Sequence, residues 1–279
     1  MMERDALDAY YEHIQSAYNQ IATEYDTTVG MYAVSARAKR MAIEVIRAVT
    51  PSKGRLLDVG CYTGIEALAL AGAGYQVLGV DLSPEMVRLA QSKAKQRRLD
   101  AQVRFVTTRA SDLDLVSSDR LAPFDTVYSV YGTLNLEPQI SRFKEALQRC
   151  LKDGGEFVCG LLNPTVLYEL LVAPILLQFH GFRKLAKRAV PTRIGLGNQR
   201  VLTYLYTPSE FAKLMAPEFS LEETRGLHIL YPPPRPTRGK RSERWWIARA
   251  FDSIEAHLER QVLFSSLGFF SLLVFRKGR

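Results

Sequence analysis

The 279-residue sequence predicts an α/β fold, an open and mostly parallel sheet of about seven strands with helices on both faces. Three observations lead there. From Arg55 to Leu162, short β-rich runs alternate with amphipathic helical patterns. The first run, "RLLDV", closes in a glycine-containing turn, Gly60–Gly64, that opens a helix. The second, "QVLGVD", closes in Asp81, 23 residues after Asp58. No internal repeat or low-complexity tract interrupts the pattern.

The elements follow in order. Ala6 to Tyr25 reads as a helix with Tyr10, Ile14, Ala17, Tyr18 and Ile21 on one face, and a second helix is expected over Ala33–Val49. Both precede the first strand, which predicts an N-terminal helical lid over residues 1–50 and a core over 51–279. After "RLLDV" come a helix from Gly64, the strand "QVLGVD" and a helix opening at "SPEM". There Ser83 is the cap, Pro84 takes the first helical position and Glu85 meets the helix dipole. "QVRFVT" and "FDTVYSV" are the next strands, and a helix from about Pro138 to Leu151 puts Ile140, Phe143, Leu147 and Leu151 on one face. "KDGGE" supplies glycines able to turn left-handed at its end, and "EFVCGLL" follows as a strand.

Past Leu162 the pattern loosens. A long helix is expected over about Pro164–Arg188, then a strand-like "RVLTYLYT", a short helix "PSEFAKLM" and a strand near "FSLEETRGL". A last helix carries Ile247, Phe251, Ile254 and Leu258 on one face, and "LGFFSLLVFRK" is the final strand. The stretches around 163–206 and 230–262 read as rim insertions of the core.

Composition narrows the class. A hydrophobic content of 47% suffices for a substantial core. Cys61, Cys150 and Cys159 are too few and scattered for a disulfide framework, and no Cys/His spacing predicts a metal, so reduced thiols in a cytoplasmic protein are expected. The N-terminal "MMERDALDAYYEHIQ" has acidic residues and no apolar run, unlike a signal peptide. The longest apolar segment, Val166–Phe179, has 14 residues including Glu169 and Pro174, too short to span a bilayer. The net charge of +8 is uneven: residues 181–279 hold 18 Lys/Arg against 8 Asp/Glu, and residues 1–180 hold 19 against 21. A basic last third fits either an anionic partner or a solvated surface.

In an open parallel sheet, ligands bind beyond the carboxyl ends of the strands near the reversal of strand order. Strand 1 ends there in Asp58-Val59-Gly60, and its glycine turn lets backbone approach a ligand. The helix opening near Gly64 aims free N–H groups at an anionic group. Asp81 stands where an acid accepts hydrogen bonds from ribose hydroxyls. These turns describe a nucleoside site with a short anionic arm. The chain lacks GxGxxG for a pyrophosphate and GxxxxGK[ST] for a triphosphate.

The segments "LLDVGCYTG", "VLGVDLSPEM", "VRFVTTRASDLDL", "FDTVYSVYGTLN" and "LKDGGEFVCGLLNP", in this order and spacing, resemble a class I S-adenosylmethionine-dependent methyltransferase with its Rossmann-like sheet. The resemblance covers most of Ile21 to Phe219, and "IATEYD" resembles the N-terminal lid of the small-molecule and lipid branch. It implies S-adenosylmethionine as cofactor, with Asp58, Gly60, Cys61, Tyr62 and Gly64 around the methionine end, Asp81 on the ribose and Leu82 on the adenine. Ala110, Ser111 and Asp112 would meet the adenine edge, Ser129 and Val130 would line the methyl-donor end, and Tyr25 would close over the cofactor. Two residues depart from the family pattern. Tyr62 replaces a turn glycine and is expected to keep a negative φ with its ring turned outward or over the ligand. Arg109 stands where relatives often place an acid beside the adenine.

Methyl transfer from a sulfonium is an in-line displacement in which alignment supplies much of the catalysis. A base is needed only when the acceptor must lose a proton. Tyr131 and Asn135, in "YGTLN" after strand 4, stand where the acceptor arrives, and His180 and His228 are further candidate bases. The Asn-Pro-Pro-Tyr signature of adenine and glutamine methylation is missing after strand 4. "VLYELLVAPILLQF", Tyr204, Tyr206 and "LYPPP" predict an apolar roof for a medium-sized hydrophobic organic acceptor, a lipid, quinone-like or secondary-metabolite molecule methylated on oxygen, nitrogen or carbon. Arg235, Arg238, Lys240, Arg241, Arg244, Trp245 and Trp246 combine cations with flat rings, which also fits an RNA methyltransferase or a membrane-surface contact. A third reading is a non-catalytic binding module in which Tyr62 has abolished cofactor binding.

Overall fold

The computed structural model describes residues 4–29, 33–167, 170, 188–194, 199–230, 254–259 and 261–278. In chain order the elements are α1 (Arg4–Ile21), α2 (Tyr25–Val29), α3 (Ala33–Val49), β1 (Arg55–Val59), α4 (Ile65–Gly72), β2 (Gln76–Asp81), α5 (Pro84–Gln96), β3 (Val103–Thr107), β4 (Phe124–Ser129), α6 (Ile140–Cys150), β5 (Leu151–Leu162), β6 (Ala189–Arg193), β7 (Arg200–Tyr204), α7 (Pro208–Met215), β8 (Phe219–Leu227) and β9 (Phe270–Lys277). Seven strands form one sheet in the order β3-β2-β1-β4-β5-β9-β8. Pairing is parallel from β3 to β5, and β9 slots antiparallel between β5 and β8. The chain leaves β1 toward β2 on one side and later returns to β4 on the other, so strand order reverses between β1 and β4. A ligand crevice belongs at the carboxyl ends of those strands.

Both faces of the sheet are covered, which is why the central strands read as continuous apolar runs. On one face Ile46 of α3, Leu68 and Leu70 of α4 and Ala90 of α5 pack on Leu56, Val77 and Val103. On the other, Phe143 and Leu147 of α6 and Phe211 of α7 pack on Phe157 and Phe275, whose rings stack at 6.0 Å. Helix starts follow their local chemistry. Ser83 Oγ accepts from Met86 N at 3.2 Å with Pro84 opening α5, and Thr207 and Glu210 form a reciprocal capping box on α7.

Three details differ from the sequence reading. The first helix stops at Ile21, and the chain turns through a 3-10 segment, Ala22–Glu24, before restarting as α2, which redirects Tyr25. Helix α6 ends at Cys150 and β5 begins at once, so "KDGGE" lies within the strand's span, with Gly154 at φ +73°. Third, "AVPTR" forms β6, which pairs antiparallel with β7 in a separate two-stranded sheet; Pro191 is tolerated because the pair has only edges. Most of the helix expected over Pro164–Arg188, together with Ile247 and Phe251, lies outside the described residues.

The small sheet is held over the rim by α1. The Tyr10 hydroxyl sits 2.8 Å from Leu202 O and 3.0 Å from Leu136 O, and His13 Nε2 lies 2.8 Å from Arg200 O. Ile14 and Ala17 of α1 bury against Ile194 and Val201, with Tyr10, Tyr18 and Ile21 around them. Among the described residues, no helix is long and apolar enough to cross a membrane.

Candidate cofactor-binding site

The turn after β1 folds across the end of β2. Gly60 N and Cys61 N both donate to Val80 O, at 2.8 and 2.9 Å. Gly60 has φ +79°, and a Cβ on it would lie 2.3 Å from the Thr133 side chain. Gly64 caps α4 at φ +77°, where a Cβ would meet the Phe105 ring at 2.8 Å. Only glycine fits either position.

Between them Tyr62 adopts φ +49°, not the negative angle expected of a tyrosine. The turn imposes this angle, at a cost of about 1–2 kcal/mol for a residue with a Cβ. The gain is a hydrogen bond, since Tyr62 N donates to Asp81 Oδ2 at 2.9 Å. Ser83 N donates to Oδ1 of the same carboxylate at 2.8 Å. Asp81 is buried, and burial pushes its pKa up to about 6 against the pull of these N–H groups. The Leu82 backbone also donates to this carboxylate, which leaves one of its about four lone-pair sites for a ligand.

The Tyr62 ring is enclosed by the N-terminal helices. It stacks on Tyr25 and lies 5.7 Å from Tyr18, and its hydroxyl accepts from Thr133 Oγ1 at 3.3 Å. Burial pushes its pKa up to about 12. Asp26, next to Tyr25, pairs with Lys93 and accepts from Thr63 Oγ1, while Lys93 also donates to Thr63 O at 3.1 Å. Asn19 Oδ1 accepts from Ser83 Oγ at 2.6 Å, and Gln15 donates to Leu82 O at 3.2 Å. Helices α1 and α2 are thus stitched to the ends of β1 and β2.

Beneath them is a narrow cavity of about 60 Å³, whose walls include Gly60, Tyr62, Asp81, Leu82, Ala110 and Glu137. Its walls carry two carboxylates, Asp81 and Glu137, and the Arg109 guanidinium. Asp58 is buried near the end of β1, outside those walls, beside the buried Tyr128 hydroxyl. Burial, then the charge of Glu66, holds its pKa well above the carboxylate range. Glu66, in the first turn of α4, is also buried, and burial raises its pKa; it accepts from the Tyr131 hydroxyl at 3.2 Å. Tyr131 has φ +61°, a strained backbone of the kind that collects at functional sites.

Leu82 and Ala110 line the cavity, and Ser111 is fully buried with its hydroxyl 3.2 Å from that of Tyr11. Ser129 is committed to the sheet, its hydroxyl donating to Val59 O at 2.9 Å, with Val130 and Cys61 buried beside it in the core. Asp112 pairs with Arg142 at 2.7 Å. Asn135 is fully buried and holds backbone: its amide nitrogen donates to Tyr204 O at 2.6 Å and Leu162 O at 3.2 Å, and its oxygen accepts from Leu162 N at 2.9 Å. His228 is buried after β8, away from the cavity walls, and burial followed by Arg37 lowers its pKa to about 4. His180 and the basic-aromatic segment from Arg235 to Trp246 lie outside the described residues.

Reading the sequence alone missed Tyr11, Tyr18, Thr133 and Glu137 as cavity walls. The face of α1 that carries Tyr18 was visible, but the cavity side of Glu137 has no local signal. The set suits an adenosyl sulfonium in its polar groups: a carboxylate at the end of β2 held by backbone N–H groups, and a turn whose Gly60 and Gly64 leave backbone open to a ligand. The cavity, with Tyr62 in its wall, is smaller than a nucleoside.

Comparison with known proteins agrees with this geometry. Residues 56–155 match the methyltransferase domain family. A demethylmenaquinone methyltransferase of Clavibacter sepedonicus is 28% identical over 197 residues, 69% of this chain and 72% of that protein. The ubiquinone/menaquinone biosynthesis C-methyltransferase UbiE of Geobacter sp. (strain M21) is 28% identical over 209 residues, 73% of this chain and 82% of its own. In structure, the CcbJ methyltransferase from Streptomyces caelestis superposes with a TM-score of 0.62 at 17% identity, covering 95% of this chain and 99% of that one, a likeness of fold. Domain match, strand order and relatives converge on a class I S-adenosylmethionine-dependent methyltransferase, with S-adenosylmethionine as the cofactor.

Proposed function

We propose that this enzyme methylates a medium-sized, hydrophobic, quinone-like organic acceptor on a ring carbon. The observation that carries the reading is the pair of relatives named for menaquinone and ubiquinone biosynthesis, each aligned over more than two thirds of both chains. The described rim is consistent with an apolar guest: Leu202 of β7 is 40% exposed, and Tyr204 and Tyr206 follow it. Neither relative is named for a nucleic-acid substrate.

S-adenosylmethionine, when bound, supplies an electrophilic methyl group on a sulfonium. Asp81 would hold the ribose hydroxyls, Leu82 would pack on the adenine, and Asp58 would face the ammonium. Carbon methylation of a hydroxylated ring is helped when the ring hydroxyl loses its proton, which calls for a base near the acceptor. Tyr131 is the residue assigned to the acceptor, with Glu66 Oε1 holding its hydroxyl proton. Burial raises the pKa of Glu66, which makes its carboxylate a stronger base than an exposed one.

The test is incubation of the full chain with methyl-labelled S-adenosylmethionine and, in parallel, a prenylated naphthoquinol, a catechol and total RNA. The expected result is label on a ring carbon of the naphthoquinol. Label found in RNA, or only as a methyl ether, would overturn the proposal.

A further inference from the structure

The cavity has a second carboxylate in its walls, Glu137. Glu137 follows the 3-10 turn Thr133–Leu136 after β4 and is 3% exposed. Its Oε1 accepts from the Tyr11 hydroxyl of α1 and from Gln139 N at 2.8 Å. Leu82 and Ala110, the residues assigned to the adenine face and edge, line the same cavity. Arg109, which stands where an acid is expected, also lines this cavity, but its guanidinium is held by Asp8 at 2.9 Å and lies 4.4 Å over the Tyr11 ring.

We infer that Glu137 reads the exocyclic amino group of the cofactor's base, supplying from the β4–α6 connection the acid that Arg109 does not provide. The inference rests on the adenosyl cofactor and is independent of the acceptor. The chemistry is one of donors and acceptors. An ionised carboxylate only accepts hydrogen bonds; Tyr11 and Gln139 both bond Oε1 and the Ser111 backbone also donates to the group, which leaves one of its about four lone-pair sites for a ligand. An amino group at position 6 of a purine only donates in this plane, so the two are complementary. A 6-oxo purine turns a lone pair toward the same carboxylate and is rejected. Two carboxylates then frame the nucleoside, Asp81 for the sugar and Glu137 for the base. Tyr11 fixes the second one from the N-terminal helix, so base recognition and closure of α1 are coupled.

The experiment is isothermal calorimetry of the full chain with S-adenosylhomocysteine and with S-inosylhomocysteine, its 6-oxo counterpart. The wild-type protein is expected to prefer the amino form by about tenfold or more, as for a hydrogen bond to a charged group. Glu137→Gln, whose amide also donates, is expected to bring the two affinities within about threefold. Should that variant fail to fold, Glu137→Asp retracts the carboxylate and is expected to weaken the amino form selectively. Equal wild-type affinities, or a preference that survives Glu137→Gln, would overturn the inference. Failure of the wild-type chain to bind either compound would instead sink the cofactor assignment beneath it.

Discussion

The rings of Tyr25 and Tyr62 stack face to face, with centroids 4.9 Å apart and planes 13° from parallel. One ring belongs to the N-terminal helices and the other to the turn between β1 and α4. The stack, with the Asp26–Lys93 ion pair beside it, makes closure of the N-terminal helices and the state of the turn a single event. Stacked pairs of this kind contribute about 0.5–1.5 kcal/mol beyond area burial.

Replacing Tyr62 by glycine removes that stack and also relieves the positive φ. The ring's volume is returned to a cavity of about 60 Å³. Tyr62→Gly is therefore expected to bind S-adenosylhomocysteine severalfold more tightly in calorimetry. A loss of affinity would mean that the ring is part of the cofactor's wall.

Asn135 is expected to act through stability. Its three hydrogen bonds join the segment after β4 to Leu162 and Tyr204. Asn135→Ala leaves those backbone groups buried and unpaired, at a cost of about 2–3 kcal/mol. Urea denaturation should show that loss, while kcat per folded molecule stays near wild type. An unchanged midpoint with a collapsed kcat would return Asn135 to the reacting centre.

Tyr131→Phe tests the acceptor end. The hydroxyl that bonds Glu66 is lost while the ring remains. A fall in kcat of about 10²-fold is expected for a lost proton-transfer group, with affinity for S-adenosylhomocysteine unchanged. A variant with full kcat would assign the pair a packing role.

The pH dependence follows from Asp81. Its pKa in the folded protein, about 6, lies above the ordinary aspartate value, and burial is the cause. In the unfolded chain the same group titrates near ~3.9. Between these values the folded state holds a proton that the unfolded state has released, so Asp81's contribution to stability falls as pH rises through that window. Binding runs the other way, because ribose hydroxyls donate best to the ionised form. Affinity for S-adenosylhomocysteine, followed by calorimetry from pH 8 to 5, is expected to fall below about 6; a flat profile would show that Asp81 does not carry the sugar.

Much of this was readable from sequence, for identifiable reasons. Strands such as β1 and β2 are buried on both faces, so their apolar runs and terminal acids stand out. The Ser83-Pro84 start of α5 is local chemistry and reads directly. Strand β6 was hidden because "AVPTR" has a proline and little apolar character; its strand state comes from β7, several residues downstream. The φ of Tyr62 was misjudged because side-chain type argued for a negative angle, whereas the flanking glycine turns and the Asp81 hydrogen bond dictate a positive one. Glu137 escaped notice because its partner, Tyr11, is 126 residues away.

The most direct measurement is titration of S-adenosylhomocysteine into wild-type protein and into Asp81→Ala at pH 7.5, a condition chosen roughly above the pKa raised by burial. If the second strand's terminal carboxylate clasps the sugar, the wild type binds and the variant loses about 10²-fold or more, as expected for removing a charged hydrogen-bonding partner. Equal affinity in a folded Asp81→Ala protein would contradict the site as drawn.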